Sequence, residues 1–348
     1  MRILVNTPDL RILGGVANHY LGLRKYWTEE VYYNKVGRRW YGIPGIILLP
    51  YDIIKFIVKL LMLNPDAVIL NPSLGKKALL RDFLFLKISK LFRRKTILFI
   101  HGFDLNYAEC ADKVWLSENF NSADLIFVLA DEFRRLLQSW GVKVPIVLTT
   151  TKVDDQLIER FDITEKANTG NLLFIARIER AKGVYIAIDA YNILKREFPE
   201  LTMTIAGNGS ELAGVKKYIE EKCISGITVL GAISGEQLIE TYTNAAISIF
   251  PTYYGEGMPT SVLEAMAFGM PVFTRKVGGL KDFFDSSRMG YITDSVEQEE
   301  FANAIKHYLN DPSLYRQVSM YNHNYAIEHF LASKVAIAIE GEINNILI

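Results

Sequence analysis

Glu256 and Glu264 bound the segment Glu-Gly-Met-Pro-Thr-Ser-Val-Leu-Glu, shortly after the apolar run Ala245 to Phe250 and at the opening of a helix. Two carboxylates beside free helix-start N–H groups suit a ligand that is phosphorylated and rich in hydroxyls. The amides attract the anion, and a carboxylate accepts from vicinal hydroxyls. Upstream, Ala176-Arg177-Ile178-Glu179-Arg180-Ala181-Lys182-Gly183 ends a strand, projects an Arg and then sets a Lys in front of a Gly. Two permanent cations so placed can converge on one diphosphate. The sequence has no Asp-x-Asp pair to hold a divalent cation. Fixed cations and helix dipoles are therefore expected to carry the diphosphate charge, with no metal and no cofactor; the ligand implied is a nucleotide sugar.

The elements that must position these groups are strands alternating with helix-length segments. One series is Ile3 to Val5, Ala67 to Leu70, Ile97 to Ile100, Leu125 to Val128 and Ile146 to Leu148. A second is Leu172 to Ile175, Met203 to Ile205, Thr228 to Leu230, Ile247 to Phe250 and Val272 to Thr274. This pattern predicts repeated βαβ units and an α/β fold of two doubly wound, Rossmann-like domains facing each other across a cleft. The expected division is 1–155, 156–324 and a terminal helical segment 325–348, with Thr149 to Asn171 as a polar linker and surface turn. Ligands collect at the carboxyl ends of parallel strands, so the loops Pro8 to Gly15, Asn71 to Gly75, His101 to Leu105, Ala176 to Gly183, Ala206 to Ser210 and Tyr253 to Pro259 are expected to line one site. Gly14-Gly15 and Ala206-Gly207-Asn208-Gly209-Ser210 read as tight strand-to-helix turns, and neither has the full spacing of a dinucleotide fingerprint. Pro259 and Gly269 bracket a helix over Pro259 to Phe268.

The 348 residues are half hydrophobic and carry no net charge, with pI near 7, which argues against a nonspecific nucleic-acid binder. Cys110 and Cys223 lack metal-ligand spacing, and Met1 to Asn6 runs directly into strand-like sequence, so a cytoplasmic setting is expected. The apolar stretch Ile46 to Leu63 is broken by Pro50, Asp52, Lys55 and Lys59 and is not expected to span a bilayer. Lys76 to Lys95 holds eight basic residues and the single acid Asp82 among leucines and phenylalanines. It reads either as a packed helix with a solvated basic face or as a helix on an anionic membrane surface.

The set Gly14-Gly15, His101-Gly102, Arg177 to Lys182-Gly183, Ala206-Gly207-Asn208-Gly209 and Glu256 to Glu264 resembles the retaining family 4 glycosyltransferases of GT-B fold, most specifically through the Glu-x7-Glu segment with its Gly-x-Pro and Ser. The resemblance implies that Glu264 grips the nucleotide ribose, Glu256 contacts the donor sugar, and Arg177 with Lys182 neutralise the diphosphate. Amides from Gly257, Met258, Pro259, Thr260 and Ser261, with Gly14 and Gly15, would complete the phosphate cradle. Gly207 joins the donor site, Ile233 lies by the base, and His101 touches the sugar or acceptor. Two departures stand out: Leu173-Phe174-Ile175-Ala176 where a Gly often precedes the Arg, and Thr149 to Asp154 in place of a frequent Asn-Gly-Val-Asp. The implied activity is transfer of a sugar, with retention, to a saccharide or lipid-linked acceptor in cell-envelope polysaccharide synthesis, at the cytoplasmic face of the membrane. An epimerase or phosphorylase of the same architecture, or a non-catalytic nucleotide-sugar-binding protein, are the competing readings.

Overall fold

The structure is a computed structural model that describes residues 1–11, 14–37, 45–72, 75–102 and 105–348. Parts of three loops expected at the site, residues 12–13, 73–74 and 103–104, lie outside the described residues. The chain divides into two compact units: Met1–Lys152 with Gly255–Met258 and Ala332–Ile348, and Val153–Tyr254 with Pro259–Leu331.

In the first unit, β1 (Arg2–Thr7), β2 (Glu30–Lys35), β3 (Ala67–Leu70), β4 (Lys95–Ile100), β5 (Leu125–Val128) and β6 (Ile146–Leu148) form a parallel sheet ordered β2-β1-β3-β4-β5-β6. Side chains alternate between its faces. Leu4, Val68, Leu98 and Ile126 meet α2 (Gly45–Leu63) and α3 (Lys76–Leu91) through Phe56, Leu60, Phe83 and Leu86. Ile3, Ile69, Phe99 and Phe127 meet α1 (Gly15–Leu23) and the C-terminal helix Ala332–Leu347. That last helix seats Val335, Ala336, Ile339 and Ile343 in the core. Its buried Glu340 accepts from Thr28 N (2.9 Å), Thr28 Oγ1 (2.6 Å) and Glu29 N (2.9 Å).

In the second unit, β7 (Asn171–Ile175), β8 (Thr202–Ala206), β9 (Ile227–Gly231), β10 (Ile247–Phe250), β11 (Val272–Arg275) and β12 (Gly290–Thr293) are parallel and ordered β12-β11-β10-β7-β8-β9. All ten strands expected from apolar runs are present. The two not anticipated, β2 and β12, are both sheet edges. β2 is mostly half-buried and carries Glu30 and Lys35, while β12 opens on a glycine, so neither reads as an apolar run.

Two local expectations are corrected. Val153 onward is body of the second unit rather than linker: Asp154 caps the helix Asp155–Ile158, and Lys166 is buried. The helix Pro312–His329 packs on the helix Thr260–Ala267 within the second unit, so the terminal segment joins the first unit only from Ala332, not from Tyr325.

Candidate functional site

In the second unit, the loops leaving β7 and β8 run backbone to backbone. Ala176 N donates to Ala206 O (3.2 Å), Ile178 N to Asn208 O (3.0 Å) and Glu211 N to Ile178 O (3.0 Å). A Cβ on Gly207 would fall 1.8 Å from the Ala176 carbonyl oxygen, and one on Gly209 2.3 Å from that of Ile178. The scaffold alone therefore accounts for Gly207. Arg177 emerges from this paired backbone with its side chain 60% exposed and Nη1 3.1 Å from Glu179 Oε1. Solvent screens such a pair, which leaves the guanidinium weakly committed. Ile233 is half-buried in the loop after β9.

Lys182 is held quite differently. It ends the single 3₁₀ turn Arg180–Lys182, is buried, and carries Nζ 4.2 Å from the centre of the Tyr254 ring. The ring's electron-rich face supports the ammonium where water is scarce. Gly183 follows in the left-handed region at φ +81°, and a Cβ there would lie 2.2 Å from the Pro251 carbonyl oxygen. Tyr253 N donates to Ala181 O at 2.9 Å. The turn is thereby pinned to the exit of β10, which fixes the cation. An open pocket of about 570 Å³ adjoins it, lined by Arg180, Gly183, Tyr185, Tyr253 and Arg275 among others.

Glu264 lies in the helix Thr260–Ala267, where Tyr242 Oη donates to its Oε2 at 2.7 Å. Tyr242 is buried and stacked on Phe268, with ring centres 5.1 Å apart. Burial first, and then the Glu264 charge, push its phenol far above the usual range, so it remains a donor. Lys166 Nζ donates to the carbonyls of Tyr242 (3.1 Å), Thr243 (3.0 Å) and Ala245 (2.5 Å), closing the C-terminal end of the helix that carries Tyr242. Pro259 is the N-cap rather than the first helical residue, because the helical turn begins at Thr260. Proline brings no capping side chain, so nothing on the cap competes for the N–H groups of Thr260 and Ser261.

The first unit holds the other candidates. Asn71 Nδ2 donates to Asn6 O (2.7 Å), which orients its amide so that Oδ1 faces Tyr20 Oη (2.8 Å) and His101 Nε2 (2.9 Å). An amide oxygen can only accept, so His101 carries its proton on Nε2 and offers Nδ1 as an acceptor. Burial pushes this imidazole down to about 3, and it is neutral at physiological pH. Its ring stacks on Phe99 at 3.9 Å and meets His19 edge-on at 5.0 Å. His19 is buried with both ring nitrogens unpartnered, and burial lowers its pKa as well.

Glu256, Gly257 and Met258 belong to this same unit. Gly257 is buried, and a Cβ on it would lie 2.3 Å from the His101 carbonyl oxygen and 3.1 Å from Leu129 Cδ1. Met258 packs against the core beneath α1 and the C-terminal helix, and Thr151 Oγ1 donates to its carbonyl at 3.4 Å. Glu256 is therefore carried beside His101 by close backbone packing. At Gly14 and Gly15 a Cβ would meet nothing within 4 Å, so the scaffold gives no reason for glycine at either position.

The sites expected from sequence are thus distributed: Arg177, Lys182, Glu264, Thr260 and Ser261 lie in the second unit, and His101, Glu256, Gly257, Gly14 and Gly15 in the first. Sequence reasoning missed Tyr242, Tyr254, Asn71 and Lys166. The pair Tyr253-Tyr254, two aromatics just before Gly255-Glu256, was the one available signal. Among the described residues, no cluster of three or more His, Cys, Asp or Glu is gathered as a metal site would require.

The structure of Anabaena Alr3699/HepE in complex with UDP and glucose matches 99% of this chain and 100% of that one, with a TM-score of 0.75 at 18% identity. This likeness defines the architecture as GT-B, built of two Rossmann-like units. Residues 155–325 match the family model of glycosyl transferases group 1. The D-inositol 3-phosphate glycosyltransferase of Pseudarthrobacter chlorophenolicus is 29% identical over 153 residues, covering 42% of this chain and 36% of that protein. The putative colanic acid biosynthesis glycosyltransferase WcaL of Escherichia coli is 21% identical over 224 residues, covering 62% and 55%. The chain thus spans about a third to a half of the length of these relatives.

Proposed function

We propose that the protein transfers a hexose from a nucleoside-diphosphate sugar to a saccharide or lipid-linked saccharide, with retention at the anomeric carbon and without a metal, in the assembly of a cell-envelope polysaccharide at the cytoplasmic face of a membrane. The observation that carries this reading is Lys182, a buried ammonium fixed by Gly183 against the exit of β10, in a unit that also presents Arg177 and the tethered Glu264. In this reading the acceptor hydroxyl attacks on the face the diphosphate leaves and no enzyme nucleophile takes part, so stabilising the departing diphosphate must do most of the barrier lowering.

In this reading Arg177 and Lys182 meet the diphosphate, and the N–H groups of Gly257, Met258, Thr260 and Ser261, with those of Gly14 and Gly15, donate to its oxygens. Glu264, held in place by Tyr242, accepts from the ribose hydroxyls. Glu256 takes hydroxyls of the donor sugar. His101, neutral and with Nδ1 as acceptor, receives a sugar hydroxyl, a binding role that needs no proton transfer. UDP-glucose is the first donor to try, because HepE holds UDP and glucose.

The test is a thermal-shift panel of nucleotides and nucleotide sugars, followed by a transfer assay on the donor that stabilises most. A ligand at 100-fold its Kd raises stability by about 2.7 kcal/mol. Release of nucleoside diphosphate that depends on an added saccharide, and that is lost in Lys182→Ala, is the expected outcome. Conversion of the donor with no acceptor present would instead establish an epimerase. Tight binding without release under any acceptor would establish a binding protein.

A further inference from the structure

The solvent side of α2 is apolar where a soluble helix would be polar. Ile47, Tyr51, Ile54, Val58, Leu61 and Met62 expose between 44% and 78% of their surface. From Ile47 to Leu61 the spacing of four, three, four and three sets one stripe along the helix, roughly 20 Å long at 1.5 Å per residue, with Met62 beside its end. The opposite side of the helix is fully used: Phe56 and Leu60 are buried in the first unit's core, and the Phe56 ring meets that of Phe85 on α3 at 5.0 Å.

α3 repeats the pattern beside it. Lys77, Leu80, Leu84, Lys87 and Leu91 are all exposed and follow the same three-four spacing. Both helices pack on one face of the first sheet, so both outward sides look away from it in one direction. The charges are sorted. α2 and α3 contain one acid each, Asp52 and Asp82, and both are 1% exposed. Asp52 accepts from Gly37 N, and Asp82 is paired with Arg81 at 2.7 Å. The outward surface of the helix pair therefore holds aliphatic side chains, Tyr51 and lysines, with no exposed carboxylate of its own.

We propose that α2 and α3 form a membrane-docking surface that lies flat on an anionic bilayer, the α2 stripe entering the acyl boundary and the α3 lysines meeting the headgroups. An apolar stripe of this extent flanked by cations fits the lipid interface on both terms at once. A second copy of the chain fits less well, because a two-fold contact would set the lysines of one α3 against those of the other. No helix of the described residues is long and apolar enough to cross a membrane, so the contact is interfacial. From sequence, residues 76–95 read either as a packed helix with a solvated basic face or as a helix on an anionic membrane; we assign the apolar half of a lipid contact to α2. This inference deepens the membrane-face part of the proposed function, and its failure would leave the sugar-transfer part standing.

The experiment is co-sedimentation of the full chain with vesicles of phosphatidylcholine alone or mixed with phosphatidylglycerol. The wild type is expected to partition onto the mixed vesicles, more weakly as salt rises. Ile54→Asp combined with Leu61→Asp should lower that partition about tenfold or more. Lys77→Glu with Lys87→Glu should cost about tenfold on mixed vesicles and remove the preference for them. All four positions are exposed, so the melting midpoint and nucleotide-dependent thermal shift should stay at wild-type values. Three results would overturn the proposal: no vesicle binding by the wild type at low salt, undiminished binding by the Ile54/Leu61 variant, or a vesicle-indifferent dimer that the same variant disperses.

Discussion

Glu256 and Glu264 are near neighbours in sequence and are held by opposite means. Glu264 sits in a helix and is gripped by a side chain, the buried Tyr242, whose own helix is closed by Lys166. Glu256 sits in a short segment gripped through its backbone, where Gly257 has no room for a Cβ against His101. The chain passes from the first unit to the second between Met258 and Pro259, so the two acids of one motif report to different bodies. A motif read as one site in sequence is thus two separately supported stations. Each can be disabled without touching the other.

Four measurements can break or sharpen that contrast. The largest effect is expected from the second unit's cation: Lys182→Ala should lower kcat/KM by about 100-fold or more, comparable to losing one preorganised donor. Near wild-type turnover would refute the assignment. Next, Gly257→Ala should reduce kcat about tenfold, because a Cβ 2.3 Å from a carbonyl oxygen must displace the segment that carries Glu256. Nucleotide affinity should fall less than kcat, because Arg177, Lys182 and Glu264 are untouched, and Gly15→Ala, with open space at its Cβ, should leave the melting midpoint unchanged. Reversed outcomes for these two glycines would sink the backbone-grip account.

Tyr242→Phe should act on the other station. Losing a hydrogen bond to a carboxylate costs about 1.5–3 kcal/mol of folding stability, which a urea titration should show, and calorimetry should find the nucleotide Kd raised because Glu264 is no longer held in place. Glu256→Gln should impair transfer more than nucleotide binding. If it is Glu256→Gln that weakens free nucleotide, the roles of the two acids are exchanged.

The smallest effect concerns pH. His101 is pushed down to about 3 in the folded chain, against about 6.5 when unfolded. Between those values the unfolded chain binds a proton that the folded chain refuses, so stability is fully present above pH 6.5 and drains as pH falls toward 3. His19 acts in the same direction. Urea midpoints at pH 7 and pH 5 should therefore differ, and His101→Gln should shrink the gap. An unchanged gap would mean that the imidazole is solvated after all.

The interior strands were legible because a strand buried on both faces is apolar along nearly all its length: β3 and β5 are apolar throughout, and β10 departs only at Ser248. β2 and β12 escaped because an edge strand has one exposed flank and tolerates charge or glycine. Among the candidate site residues, Arg177, Lys182, Glu256 and Glu264 stand out in the sequence by residue type and by their place in loops and at a helix opening after strands. Their supports were not. Tyr254 beneath Lys182 and Tyr242 beneath Glu264 are ordinary tyrosines until distant segments pack. Gly207 shows the reverse: it reads like a ligand-binding glycine, yet the Ala176 carbonyl is reason enough for it.

By itself, then, the sequence determined the parallel α/β architecture and the chemistry on offer, because periodicity and side-chain type are local properties that survive without a partner. Tertiary structure alone decided which groups are gripped, which carboxylate goes with which unit, and that the apolar stripe of α2 faces outward. Each of those depends on contacts between residues far apart in the chain, and no spacing along one strand of sequence encodes them.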